Sequence, residues 1–315
     1  MKTWKRVGLV VLAASFSAGC SDATGSVADT GDLETSVVSE SEASGPETPA
    51  VDPALASVRT SNLVDEQSRH EVYTVLKNAG LGEQALNDFD TQVKRFYDHV
   101  PTASLIQSGF QPLAQAQKAD LVALAQAAQE KATPLTNCRI TTFTLGREQV
   151  TVGKPQGADD SQLFFDIESL DTEPKMFVGA ERETFLGLFG RVPTVAEKDS
   201  QRHTNDIINY LLEHEIGFKV GPVSMVSVYI HDNIDPKDAA MFIGHMGLLV
   251  EDSAEGKLLF VEKLAFDQPY RASWFDSREQ LETYLRSMYD DGPDLEYGQP
   301  VIMENDHVMQ ATQMY

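Results

Sequence analysis

The chain reads as an α+β protein in which helices come first and an antiparallel sheet follows. Three observations carry that expectation. Residues 65–79, 83–99 and 117–132 repeat apolar side chains at helical spacing. Residues 223–230, 242–250 and 258–266 are short apolar runs separated by turn-forming residues. A helix that opens at Ser277 and a last short strand over 301–303 close the chain. A run of helices followed by a run of strands is the pattern of the α+β class.

At the N-terminus, Lys2, Lys5 and Arg6 precede an apolar run over residues 7–16, and then comes Ser17-Ala18-Gly19-Cys20. A basic start, a short apolar centre and small residues before a cut describe a secretory signal, and so short a run cannot span a hydrocarbon layer of about 30 Å. Residues 1–19 are therefore expected to be a signal peptide that is removed. The ending resembles the lipobox of bacterial lipoproteins, with Ser17 where Leu is usual. That resemblance implies that Cys20 is acylated, becomes the first mature residue and holds the protein to a membrane, for which more than one acyl chain is needed. Ser21, where an Asp would resemble an inner-membrane retention signal, points to the outer membrane.

Residues 20–57 hold eight Asp and Glu and no Lys or Arg, among Ser, Thr, Gly, Ala and Pro. Low hydrophobicity with charge of one sign cannot bury enough apolar surface to offset chain ordering, so this stretch is expected to be a disordered tether. As a flexible coil it would reach roughly 35 Å. The globular part is residues 58–315, with a helical portion over 58–133 and a core over 134–315. The formal charge is −23, and loss of the signal makes it three units more negative. Such a charge repels phosphate backbones and excludes nucleic acid as a partner class.

In the first helix Val72, Val75 and Leu76 line one face and Gly80 follows; in the second Leu86, Phe89, Val93 and Phe96 do so and Pro101 follows. The third is rich in Ala and Leu. Residues 134–145 are divided: Ile140, Thr141 and Thr142 favour a strand, whereas Thr136 and Asn137 are good N-caps for a helix. Residues 146–204 are mixed. A helix is expected over 205–216, ending at Gly217. The strands over 242–250 and 258–266 read as a hairpin. A four-residue loop at 252–255, with Glu251 opposite Gly256, would place His245 directly opposite Glu262 on one face.

Glu262 is the most informative side chain. It shares a strand face with Leu258, Phe260, Leu264 and Phe266, and an unpaired buried carboxylate costs several kcal/mol. It must find a partner, either an arginine in a structural pair or the His245 ring. A His–Glu pair fixes the imidazole tautomer and stabilises the imidazolium, as a catalytic base requires. A core histidine bonded to a carbonyl is the bland alternative. Only two cysteines occur. If Cys20 is acylated, Cys138 has no partner for a disulfide in an oxidising compartment, so either it is an inert buried thiol or it has a use. At a helix N-terminus beside an imidazolium its thiolate would be the resting form and a nucleophile.

Other constellations fall short. His214-Glu215-Ile216-Gly217-Phe218 has Phe218 where a zinc-binding helix needs a second His, and His231-Asp232-Asn233-Ile234-Asp235 lacks the spacing of a calcium loop. No metal and no cofactor is expected. His70, His99, His203 and His307 stand in no recognisable arrangement.

Four segments, Ser61-Asn62-Leu63-Val64-Asp65-Glu66, Thr136-Asn137-Cys138-Arg139-Ile140, Gly244-His245-Met246-Gly247-Leu248 and Phe260-Val261-Glu262-Lys263, together resemble the bacterial lipoprotein family known as domain of unknown function 4300. That likeness brings no activity with it. A Cys at a helix start, a His in a Gly-His-x-Gly strand and a polar residue on the next strand also resemble, more remotely, the NlpC/P60 and papain-like cysteine hydrolases. This second resemblance implies a papain-like core with Cys138 as nucleophile, His245 as base and Glu262 as its orienter. It implies an oxyanion site at the Cys138 amide with Asn137 and Arg139 beside it, and peptide or cell-wall fragments as partners. A non-catalytic surface lipoprotein that binds a protein or small ligand is the alternative.

Overall fold

A computed structural model describes residues 52–130, 135–292 and 294–309. The expected signal, Cys20 and nearly all of the tether lie outside them, as do the last two residues of the helix expected over 117–132. The described chain is α+β, as its sequence indicates.

Strand β1 (Arg59–Ser61) leads into α1 (Glu66–Asn78) and α2 (Glu83–Tyr97). Asp65 caps α1 by accepting the Ser68 N–H at 2.9 Å, and Val72 and Leu76 face inward. Leu86, Phe89, Val93 and Phe96 form the buried face of α2. Next come β2 (Gln111–Pro112), a single turn α3 (Leu113–Ala116) and α4 (Leu121–Glu130). The start of α4 falls later than expected because Asp120 takes the capping position and accepts the Ala123 N–H at 3.0 Å.

The divided segment resolves as a helix, α5 (Cys138–Gly146), with Asn137 accepting the Ile140 N–H at 2.9 Å. Residues 146–204, which show no clear period, hold β3 (Val150–Val152), α6 (Phe164–Asp171), α7 (Ala180–Phe189) and β4 (Val192–Pro193). Helix α8 spans Ser200–Glu213 instead of 205–216: Asp199 caps it on the Arg202 N–H, and Gly217 sits inside strand β5 (Ile216–Phe218).

The remaining elements are β6 (Val223–Asp232), β7 (Ala240–Asp252), β8 (Lys257–Lys263), β9 (Tyr270–Phe275), α9 (Arg278–Tyr289), β10 (Val301–Glu304) and β11 (His307–Val308). Among the described residues nine strands form one antiparallel sheet in the order β11-β10-β6-β7-β8-β9-β1-β2, with β4 also pairing with β7. Strands β3 and β5 form a separate pair.

The β7–β8 hairpin corrects the expected register. Asp252 pairs with Lys257, the loop is 253–256, and Gly247 stands opposite Glu262. The turn decides this: Gly256 has φ +66° and donates its N–H to the Asp252 carbonyl at 2.8 Å, a loop conformation that only glycine adopts without strain. The shift moves His245 two residues along β7 from the position facing Glu262 and leaves it on the same face. Strand β8 also stops at Lys263, so Leu264 and Phe266 lie beyond it.

Both faces of the central strands are buried. On one, Met246, Leu248, Leu259 and Val261 pack with Ile140 and Phe143 of α5. On the other, Leu249, Phe260 and Val226 pack with Leu281, Tyr284 and Leu285 of α9. Each face is apolar enough to exclude water, so a charged side chain there must be paired.

Candidate functional site

One edge of β7 is left open in its middle. Strand β4 covers it at Ala240 and Met241, and β8 covers it from Gly247 onward. The N-terminus of α5 docks into the gap: the Arg139 guanidinium donates to the Ile243 carbonyl at 2.8 Å, and the Cys138 sulfur lies 4.0 Å from the Gly244 carbonyl. Gly244 is the extra residue of a bulge, since Val228 pairs with His245 and Tyr229 with Ile243. A bulge changes which face the next side chains take and bends the strand. Here it falls directly before His245.

Asp166 fixes the same helix start from α6. It accepts from Arg139 Nε at 2.9 Å, from the other arm of that guanidinium at 2.5 Å and from the Asn137 amide at 2.8 Å. Asn137 thereby spends its side-chain oxygen on the α5 cap and its amide on Asp166, and the Arg139 side chain is held by Asp166 and Ile243. These are structural bonds around the thiol. Asn137 takes the Ile140 amide, and the Cys138 and Arg139 amides, which have no intrahelical acceptor, are what the first turn of α5 leaves to bind an anion.

The sequence-selected side chains meet. His245 Nε2 lies 2.7 Å from one oxygen of Glu262. The other oxygen accepts the Tyr284 hydroxyl at 2.6 Å, and that hydroxyl accepts from Arg271 at 2.6 Å. His245 Nδ1 has no hydrogen-bond partner, and the Cys138 thiol lies near enough to the ring for the two to shift each other's titration.

Electrostatics couple the three. Burial pushes the Cys138 thiol up, but the His245 ring and the Arg139 charge more than reverse this and hold it below the ordinary thiol value, against opposition from Asp166. Burial pushes His245 down, and Cys138 and Glu262 together raise it to about 9. For Glu262 burial again opposes ionisation, and His245, Arg271 and Tyr284 bring the carboxyl below its usual range. A thiol held low beside an imidazole held high favours the thiolate–imidazolium form at neutral pH. Such a pair can attack a carbonyl carbon and return a proton to a leaving amine.

The site is closed. Cys138 is 5% exposed, His245 1% and Glu262 0%. Tyr289, at the end of α9, stacks on the His245 ring with centroids 4.6 Å apart and planes at 18°. A surface cavity of about 370 Å³ borders Arg278, Glu304, Asn305 and His307 and includes none of the three.

Four contributing side chains escape a reading of the sequence. Tyr284 occupies a core position of an amphipathic helix between Leu281 and Leu285, where an aromatic residue signals only packing. Tyr289 and Arg271 give no pattern. Asp166 offered a signal, an acid within the apolar stretch Leu163-Phe164-Phe165-Asp166-Ile167, analogous to that of Glu262. Of the remaining histidines, His203 and His231 pack against each other with ring centroids 4.2 Å apart and planes tilted by 45°, and they bond to the Glu197 and Val195 carbonyls. Among the described residues no group of three His, Cys, Asp or Glu side chains is placed to hold a metal.

A family model described as a domain of unknown function, DUF4300, matches residues 59–309. No curated protein and no solved structure matches the chain.

Proposed function

The chain belongs to the DUF4300 family, and from that premise we propose that it is a cysteine-dependent amide hydrolase acting on peptide or cell-wall fragments. The observation that carries the proposal is the position of His245, bonded through Nε2 to a buried carboxylate, with its other ring nitrogen unbonded and a thiol at a helix start near enough to couple with the ring. The Cys138 thiolate attacks the amide carbon, forming a C–S bond. The carbonyl oxygen gathers negative charge beside the Cys138 backbone N–H. Breaking of the C–N bond takes the proton from the imidazolium to the departing amine. Water, losing a proton to the now neutral ring, then cleaves the thioester, releasing the acid and restoring the ion pair. Glu262 keeps the ring in the required tautomer throughout. The proposal extends to an exported, lipid-anchored protein, held through acyl chains on Cys20 at the outer membrane, on a papain-like core.

Treatment of the full chain with a small alkylating reagent, with the modified peptide mapped by mass, tests it. Cys138 should react fast below about pH 7 and lose most of that speed in His245→Ala, because the ring gives the thiolate its main support and Arg139 alone must then hold it against burial. An ordinary thiol profile overturns the proposal.

The near-complete burial of Cys138 and His245 favours a second reading, a non-catalytic surface lipoprotein that binds a protein or small ligand. A phenotype that survives Cys138→Ala would select it.

A further inference from the structure

Glu262 and Arg271 face each other directly across β8 and β9, the position at which opposite charges on neighbouring strands ordinarily pair. Among the described residues they form no ion pair. The Tyr284 hydroxyl stands between them, accepting from Arg271 at 2.6 Å and donating to Glu262 at 2.6 Å. The direction of both bonds is fixed, because a guanidinium only donates and the hydroxyl has a single proton. Arg271 Nε is left without a partner although the side chain is buried. An arginine with a spare donor, held one hydroxyl away from a carboxylate, is an unusual arrangement: the bidentate Arg–carboxylate pair is the stronger interaction and is geometrically natural for facing residues.

We propose that Tyr284 is a positioning residue of this site, whose hydroxyl keeps Arg271 off Glu262 and so reserves the carboxylate for His245. The inference rests on the reading of Cys138 and His245 as a reactive pair. A carboxylate neutralised by a direct guanidinium contact holds an imidazolium less firmly, and a ring that holds its proton less firmly stabilises the thiolate less. With the hydroxyl interposed, Arg271 helps keep Glu262 ionised and leaves one oxygen wholly to the ring. The other ionisable groups around the thiol are Arg139 on α5, Asp166 on α6, Lys263 on β8 and Tyr289 on α9, and of these Tyr289 also interacts with Tyr284.

The test is the pH midpoint of Cys138 alkylation in the full chain, with the midpoint, not the absolute rate, as the readout so that access to the buried thiol does not enter. In Tyr284→Phe, Arg271 is free to close on Glu262, and the midpoint is expected to rise by about one unit, a roughly tenfold slower reaction on the acid limb. Adding Arg271→Met to that variant removes the competing cation and should return the midpoint to the wild-type value. An unchanged midpoint in Tyr284→Phe, or an equal rise in the single and double variants, overturns the role assigned to Tyr284. A wild-type midpoint at the ordinary thiol value instead removes the underlying reading, so the two failures are distinct. Should Tyr284→Phe not fold, Arg271→Met alone decides: its midpoint is expected at or below that of the wild type, and a rise of about one unit would overturn the inference.

Discussion

The Tyr289 ring lies flat against the His245 imidazole, with centroids 4.6 Å apart and planes 18° from parallel. A ring so placed does two things. Its π-face stabilises a positive charge on the imidazole, as aromatic faces do for cations generally. It also covers a side chain that is 1% exposed, with the partly exposed Tyr289 as the outer layer. Tyr289 is the last residue of α9, the part of a helix that frays most easily, so the cover sits on the least restrained turn of the element.

Tyr289→Ala is therefore expected to raise the plateau rate of Cys138 alkylation several-fold at high pH, where the thiol is fully ionised and only access limits the reaction. The loss of stacking should move the pH midpoint slightly upward. The same pair of readouts separates cover from tuning. A plateau rate equal to that of the wild type would show that Tyr289 does not guard the thiol.

The sequence made Glu262 legible because an acid in a strand of Leu and Phe has to be explained, and the Gly-His-Met-Gly run gave it a partner at hairpin distance. Register was not legible to the residue, since two loops of four residues fit the same apolar pattern and the choice fell to the left-handed Gly256. Helix α5 was hidden by Ile140, Thr141, Thr142 and Thr144, whose branched side chains favour strands in isolation. Here they are buried on all sides and Asn137 supplies the cap, so tertiary contact outweighs local preference. Helix α7 escaped for a related reason. Phe143, Phe177, Phe185 and Phe189 pack into one aromatic cluster, which draws on several faces and erases the single stripe that reveals a surface helix.

Asp166→Ala should cost stability more than activity-related geometry alone suggests. The carboxylate is fully buried and carries both the Arg139 guanidinium and the Asn137 amide. Removing it strands a largely buried cation, a change that costs about 3 kcal/mol or more. Urea unfolding is expected to show this loss, and Asp166→Leu combined with Arg139→Met should recover much of it, because an apolar pair leaves no unpaired charge. Equal losses in the single and double variants would mean that the pair is not what holds the start of α5.

The pH dependence of stability separates a coupled Cys138–His245 pair from an independent histidine. His245 is raised from 6.5 to about 9, so its contribution is full below about pH 6.5 and is lost as pH rises through about 9. Cys138 is lowered from 9.0, so its contribution is full above pH 9.0 and is lost as pH falls through the folded value. Between these limits the slopes oppose each other: the folded pair keeps one proton on the ring, and the unfolded chain keeps one on the sulfur. Unfolding then takes up no net proton, and this pair adds no slope to the wild-type Tm over the interval. In Cys138→Ser only the histidine remains, with Glu262 alone to raise it against burial, and the Tm should fall as pH climbs above about 6.5. Thermal unfolding of the two proteins at several pH values reads the difference directly. Parallel curves would mean that no proton passes between sulfur and ring, and the coupling on which the thiolate depends would be absent.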